Sequence, residues 1–195
     1  VELAIIDYGM GNIKSVCNAF RFLGAEPTVV RKPSALAAEK IVIPGVGAFG
    51  DGARNIAPFV PRIKGAVASR TPVLGICLGM HLLFEGSEES PGAGGIGILK
   101  GRVVRLRTRQ RLPHIGWNSI RIRKECPLFR GVNGEFMYFV HSYHPRPEEN
   151  ITVATARYGC VVTAGICSGN VYGTQFHPEK SGEAGLRVLK NFLEL

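Results

Sequence analysis

The sequence predicts an α/β fold built on a mixed, mostly parallel β-sheet, and three observations carry that expectation. Short runs rich in isoleucine and valine alternate with helical stretches through the first half of the chain, the order that parallel strands with crossover helices require. Beyond about Gly92 the texture changes to successive strand-like segments, so the parallel sheet becomes mixed. An amphipathic helical stretch then closes the chain.

Each element has a local justification. ELAIID, residues 2–7, opens as a buried strand. The helix that follows starts at Asn12, which can cap it, and carries Ile13, Val16, Cys17, Phe20 and Leu23 on one stripe. Gly24 suits the position just past its end. PTVV, KIVIPG and PVLGI supply further strands, and Leu78, Met80, Leu82, Leu83 and Phe84 continue the last of them as a buried helix. GRVVRLR, SIRIRK, EFMYFVHSY, ITVATARYG, VVTAGIC and VYGTQFHP read mostly as strands. In SGEAGLRVLKNFLEL the spacing of Leu186, Leu189 and Leu193 is helical, with Ser181 or Gly182 as the cap. No repeat or linker divides the 195 residues, so a single domain, 1–195, is expected.

Composition excludes several classes. The longest apolar stretch, Val73 to Phe84, is too short to span a bilayer and is interrupted by His81, and no basic leader precedes the first strand. Neither a membrane nor a secreted location is expected. The five cysteines, 17, 77, 126, 160 and 167, form no CxxC pair and no zinc spacing, and their odd number does not suit a complete disulfide framework. A reducing cytoplasm and no metal are therefore expected. The formal charge of +9 is concentrated in GRVVRLRTRQRLPH and RIRK, where basic residues alternate with apolar ones as on a strand with one solvated basic face. No nucleic-acid motif and no interleaved aromatic platform accompany them, so nucleic acid is not the expected partner. An acidic protein or an anionic metabolite would be met as well by the same face.

Three stretches carry chemistry. In PVLGICLGMH, Cys77 stands at a strand-to-helix junction between Gly75 and Gly79, the small-x-nucleophile-x-small pattern that thrusts the central residue outward. An inert core cysteine is the competing reading. In YGTQFHPEKSG, Pro178 favours extended backbone before it, so His177 and Glu179 can project to one side. A carboxylate there fixes the imidazole tautomer and leaves the other ring nitrogen to exchange protons. An ordinary strand-end turn competes with that reading. In IVIPGVGAFGDG a buried strand ends at Pro44, and a loop containing Gly45, Gly47, Gly50 and Gly52 follows at the carboxyl edge of the sheet. Its backbone N–H groups could face an anion, although the Lys-Ser/Thr of a phosphate loop is missing and a flexible turn is the alternative.

Taken together, GICLGMH, IPGVGAFG and TQFHPEKSG resemble the nucleophile elbow, oxyanion loop and His-x-Glu pair of the class I, or triad, glutamine amidotransferases. IIDYGMGNIKSV, PHIGWN at 113–118 and FVHSYH at 139–144 narrow the resemblance, along nearly the whole chain, to the branch serving histidine biosynthesis. The resemblance implies a doubly wound, flavodoxin-like sheet with helices on both faces. It implies glutamine hydrolysis with Cys77 as nucleophile, His177 as acid and base, and Glu179 as its orienting partner. Oxyanion donors would be the Leu78 N–H and an N–H from Gly45, Val46 or Gly47. Glutamine contacts would fall on Gly45, Gly47, Gly50, Glu89, His141, Ser142 and Tyr143. No cofactor is implied, and ammonia would pass to a separate synthase (cyclase) subunit of (β/α)₈ fold in a heterodimer.

One position departs from the family, which usually has glutamine where this chain has His81. Imidazole cannot offer both the donor and the acceptor of an amide from one branch point, and His81 is expected to take over part of the substrate contact. The rival idea makes His81, one helical turn from Cys77, the base that activates it. Asn12, Trp117, Asn118, Tyr138 and Lys180 are not explained by the triad. Asn12 follows the first strand and Lys180 follows Glu179, so the group is expected to ring the mouth of the site and meet the partner. Two rival enzymes remain. PHIGWN and FVHSYH speak against a glutaminase for pyridoxal phosphate synthesis. A cysteine hydrolase on a related sheet usually has histidine directly after the cysteine, where Leu78 stands.

Overall fold

In the computed structural model, which describes residues 2–195, strands β1 (Leu3–Ile6), β2 (Thr28–Val30), β3 (Lys40–Ile43) and β4 (Val73–Ile76) lie parallel in the order β2-β1-β3-β4. Every residue of β1, β3 and β4 is buried, which is why these segments are nearly continuous apolar runs rather than alternating ones. Leu3 and Ile5 pack against Val16, Cys17 and Phe20 of α1 (Ile13–Phe22), together with Val188, Leu189 and Phe192 of the last helix (Gly182–Leu193). Ala4 and Ile6 face the other side, where they meet α2 (Phe49–Ile56), α3 (Val60–Ala68) and α4 (Leu78–Leu82). The period of two along a strand thus divides the core into two layers and winds helices on both faces. The closing helix is α5.

Helix α1 begins and ends where its sequence indicates. The Asn12 side chain accepts from Ser15 N at 3.3 Å, and Gly24 takes φ +84° just past the end. The glycine-rich loop is shorter than its sequence suggests, because α2 already starts at Phe49 and so contains Gly50 and Gly52. A side chain at Gly52 would press on Leu78 and Leu82, so glycine there serves helix packing.

The buried helix read through Phe84 stops at Leu82. The Leu83 carbonyl accepts from Ile98 and Leu99 N–H, and that long-range pairing draws the chain into β5 (Phe84–Ser87). Strand β6 (Leu99–Arg105) buries Leu99, Gly101 and Val103 and exposes Lys100, Arg102 and Arg105, the alternation read for the basic stretch. The later strands separate into three sheets. Strands β7 (His114–Ser119) and β9 (Phe136–His141) form an antiparallel pair, whereas β10 (Tyr143–Pro147) joins β6 and β5. The chain read as one strand, EFMYFVHSY, therefore changes sheets at Ser142. Of SIRIRK, Ser119 ends β7 and Arg121–Ile122 form a strand of their own, β8, at the far edge of the main sheet beside β11 (Thr152–Arg157). Strand β12 (Val161–Ser168) runs antiparallel between β11 and β13 (Val171–Thr174), and β13 returns parallel to β4. The resulting eight-stranded sheet places the ends of β4 and β13 side by side. Among the described residues no helix is long and apolar enough to cross a membrane.

Candidate active site

Cys77 occupies the single residue between β4 and α4, at φ 51° and ψ −110°, a conformation that a residue with a side chain rarely adopts. Its N–H donates to the Thr174 carbonyl at 2.7 Å, which ties the turn to β13. Both flanking glycines are sterically required. A Cβ on Gly75 would lie 2.6 Å from Met80 N, and one on Gly79 would strike the Ile43 carbonyl oxygen. Contrary to the sequence expectation of an outward-thrust side chain, Cys77 is only 7% exposed. What exposure it has is toward a cavity of about 230 Å³ that it lines together with Leu78, His81 and His177.

His177 and Glu179 follow β13 directly, on the single turn Pro178–Lys180. Their side chains meet at 2.8 Å, Nδ1 to Oε1, and both are almost completely buried. Carboxylate oxygen accepts, so Nδ1 carries the proton and Nε2 is turned to other work. Among the described residues the buried side-chain polar atoms without a partner are His177 Nε2 and Glu179 Oε2. Burial by itself would depress the imidazole. The Cys77 sulfur and then the Glu179 carboxylate outweigh it and push His177 up to about 10. Nε2 has no partner within ordinary hydrogen-bonding distance, and the sulfur raises the imidazole first as a nearby charge and then as an acceptor toward it. Ser181, read as a helix cap, makes no cap bond. Its hydroxyl donates to the His177 carbonyl at 2.6 Å and accepts from Tyr138 N at 2.9 Å, pinning the histidine turn to β9.

The loop after β3 closes one side of the cavity with Val46 and Gly47, the latter at φ +107°. Tyr8 donates to the Pro44 carbonyl at 2.7 Å and so fixes the loop's entry. Gly45 and Gly50 do not line the cavity. Gly45 packs against the elbow, where a Cβ would come within 2.8 Å of Leu78 Cβ, and Gly50 N donates to Ser90 Oγ at 3.0 Å. Glu89 does line it, with one carboxylate oxygen held by Phe49 N at 2.8 Å.

The bend between β9 and β10 supplies the opposite wall, Val140, His141, Ser142 and Tyr143. His141 Nδ1 donates to the Tyr143 carbonyl at 2.8 Å, so its Nε2 must accept, and it does so from His114 Nδ1 at 3.0 Å. His114 Nε2 in turn accepts from the Asn118 amide at 3.3 Å. The relay needs both rings neutral, and burial keeps them so, depressing His114 to about 4 and His141 to about 3. His81 lines the cavity, but its Nε2 lies 2.8 Å from Gln175 Oε1, while Gln175 Nε2 donates to Cys77 Sγ over 3.7 Å. It is therefore turned to Gln175 rather than to the sulfur.

The outer group divides. Trp117 is 56% exposed and stands edge-to-face with Tyr138 at 6.1 Å, with Lys180 Nζ 6.0 Å from the Tyr138 ring. Asn12 is exposed just before α1, whereas the Asn118 amide is engaged inward by the Arg157 carbonyl at 2.8 Å and by His114. Ile115 and Phe136, which sequence reading passed over, share the face of Trp117 and are also more than half exposed. Once HIGWNS is placed as a strand, the period of two identifies Ile115 with Trp117. Gln175 and Tyr8 carry no sequence signal, and Ser181 is read only as a cap; their long-range contacts alone single the three out. Among the described residues no three histidine, cysteine, aspartate or glutamate side chains are grouped as metal ligands would be.

A family model described as glutamine amidotransferase class-I matches residues 4–195. Imidazole glycerol phosphate synthase subunit HisH of Methanocaldococcus jannaschii is 46% identical over 194 residues, 99% of each chain. Its counterpart of the same name in Thermococcus kodakarensis is 49% identical over 200 residues, covering 99% of this chain and all of the relative. A solved structure described as PurLQS from Thermotoga maritima superposes with a TM-score of 0.79 at 21% identity, over 99% of this chain and 97% of the other, which speaks to the fold alone.

Proposed function

The chain belongs to the class-I glutamine amidotransferases, and from that membership we propose that it is the glutaminase subunit of an imidazole glycerol phosphate synthase, releasing ammonia from glutamine for a partner subunit. The observation that carries the reading is a cysteine on a strained turn, facing the same small cavity as an imidazole whose one nitrogen is held by a carboxylate and whose other is free.

The Cys77 thiolate attacks the side-chain amide carbon of glutamine, and the new oxyanion is received by the Leu78 N–H and an N–H of the Gly45–Gly47 loop. His177, charged and held by Glu179, gives its proton to the departing nitrogen as the carbon–nitrogen bond breaks. Ammonia leaves and a glutamyl thioester remains. The now neutral Nε2 takes a proton from water, whose oxygen attacks the thioester, and glutamate departs as the thiolate is restored. On this reading Glu89, which lines the cavity, takes the substrate's ammonium group, and the His141–Tyr143 bend borders its other end. The partner is taken to be a (β/α)₈ cyclase, docked on the face of Ile115, Trp117, Tyr138, Phe136 and Lys180. Trapping the cavity beneath a partner would keep ammonia from water.

The test is glutamate release from glutamine by this chain mixed with the synthase subunit, beside product formation from added ammonium salt. Cys77→Ala is expected to abolish the glutamine-dependent activity and spare the ammonia-dependent one. Loss of both would refute the division of labour.

A further inference from the structure

Gln175 has no part in the steps above, yet it is fully buried and its side chain touches the nucleophile. The direction of its two bonds follows from chemistry. A thiolate only accepts, so the amide nitrogen and not the oxygen must face Sγ. The oxygen then faces the imidazole, and His81 Nε2 must be the protonated nitrogen. His81 is itself fixed from behind, because its backbone N–H donates to the Cys77 carbonyl at 3.1 Å in the first turn of α4. The three residues form a closed unit of sulfur, amide and imidazole, drawn from chain positions nearly a hundred apart.

Resting on the glutaminase reading, we propose that Gln175, locked in one amide orientation by His81, is a positioning residue that stabilises and aims the Cys77 thiolate. An N–H donor favours charged sulfur over the neutral thiol. Without His81 the amide can turn over and set its oxygen against the sulfur, which repels charge instead of holding it. Burial first of all, reinforced by His144 and opposed by the bond to Gln175, brings His81 down to about 4, so the donating tautomer persists at neutral pH. The other titratable groups facing the sulfur are His177, with Glu179 behind it, and Tyr8, whose hydroxyl is held by the Pro44 carbonyl. On this account His81 serves glutamine hydrolysis through Gln175 and not by touching substrate.

The experiment measures alkylation of Cys77 by iodoacetamide in the full chain, followed by mass spectrometry of the peptide that contains it, beside kcat and KM for glutamine in the complex. Gln175→Met keeps the shape and removes both bonds, and is expected to slow alkylation and lower kcat about tenfold while KM moves less than about twofold. His81→Leu is expected to reproduce that pattern. His81→Gln, whose amide nitrogen can stand where Nε2 does, is expected to stay within about twofold of the wild type in both readouts. The double variant Gln175→Met/His81→Leu is expected to be no worse than Gln175→Met, because the two act as one unit. Unchanged alkylation in Gln175→Met overturns the proposal. So does a His81→Leu variant with raised KM and normal alkylation, which would make His81 a direct glutamine contact, and so do additive losses in the double variant. Should Gln175→Met fail to fold, the His81 pair decides alone. Absence of glutamate release by the wild-type complex would sink the glutaminase reading, whereas alkylation uses no glutamine and judges this inference separately.

Discussion

His177 shows how a buried imidazole is kept charged. Burial opposes the proton, and the two negative neighbours, Cys77 and Glu179, overcome it to place the group at about 10. A group raised in the folded state stabilises fully below its ordinary value of about 6.5, and that contribution fades as pH climbs through about 10. Glu179→Gln removes one of the two neighbours. It is expected to lower stability most near pH 6 and to converge with the wild type above pH 10, as denaturant titrations across that range would show. A difference that grew with pH instead would mean that His177 is neutral in the folded protein. Turnover of the same variant is expected to fall at least about tenfold, because the imidazole loses the partner that selects its tautomer.

Two elements depend on a single residue each, for different reasons. At the β4–α4 elbow a Cβ on Gly79 would collide with a backbone carbonyl that β3 cannot withdraw, so Gly79→Ala is expected to cost about 4 kcal/mol or more. Gly24 ends α1 with nothing within 4 Å of its missing Cβ. Only its positive φ opposes a side chain, and Gly24→Ala is expected to cost about 1 kcal/mol. Equal losses in thermal or chemical denaturation would contradict the steric account. The β7–β9 pair is the opposite kind of element, a two-stranded ribbon whose outward face keeps Ile115, Trp117 and Phe136 more than half exposed. Such a contiguous apolar face is one that a partner covers. Trp117→Ala is expected to leave folding intact, to weaken association with the synthase subunit by about 2 kcal/mol, and to uncouple glutamine hydrolysis from product formation. An unaltered dissociation constant would move the dock to another face.

At the scale of the whole molecule, four of the five histidines, 81, 114, 141 and 144, are held neutral chiefly by burial, at about 4, 4, 3 and 4. Groups depressed in the folded state leave stability intact above about 6.5, where neither state is protonated, and erode it as pH falls toward 4, where only the unfolded chain takes up the protons. Unfolding near pH 5 is thus expected to bind about one proton for each of these rings. The measurement is the slope of unfolding free energy against pH, and a flat profile between pH 6.5 and 4.5 would show these rings to be charged in the folded state. The clustering has a further sense, since His81 and His141 line the cavity and a positive charge on either would oppose the charged His177.

The sequence by itself determined the chemistry that is local in the chain: the Gly75-x-Cys77-x-Gly79 turn, the pair of His177 and Glu179 two residues apart, and α1 with Asn12 and Gly24 at its ends. Each is a short-range steric or hydrogen-bonding requirement, and residue spacing reports such requirements directly. It also carried the parallel half of the sheet, because strands buried on both faces have no polar residues to disguise them. Only the tertiary structure decided that β7 and β9 leave the main sheet, that α4 yields to β5 at Phe84, and that Gly50 turns into a helix away from the cavity. A period of two says that one face of a strand is covered but not by what, and competing pairings with distant backbone settle the rest. The bond from Gln175 to Cys77 spans 98 positions, and that from His114 to His141 spans 27. No spacing rule reaches so far, because the partners are chosen by strand pairing, of β4 with β13 in the first case and of β7 with β9 in the second.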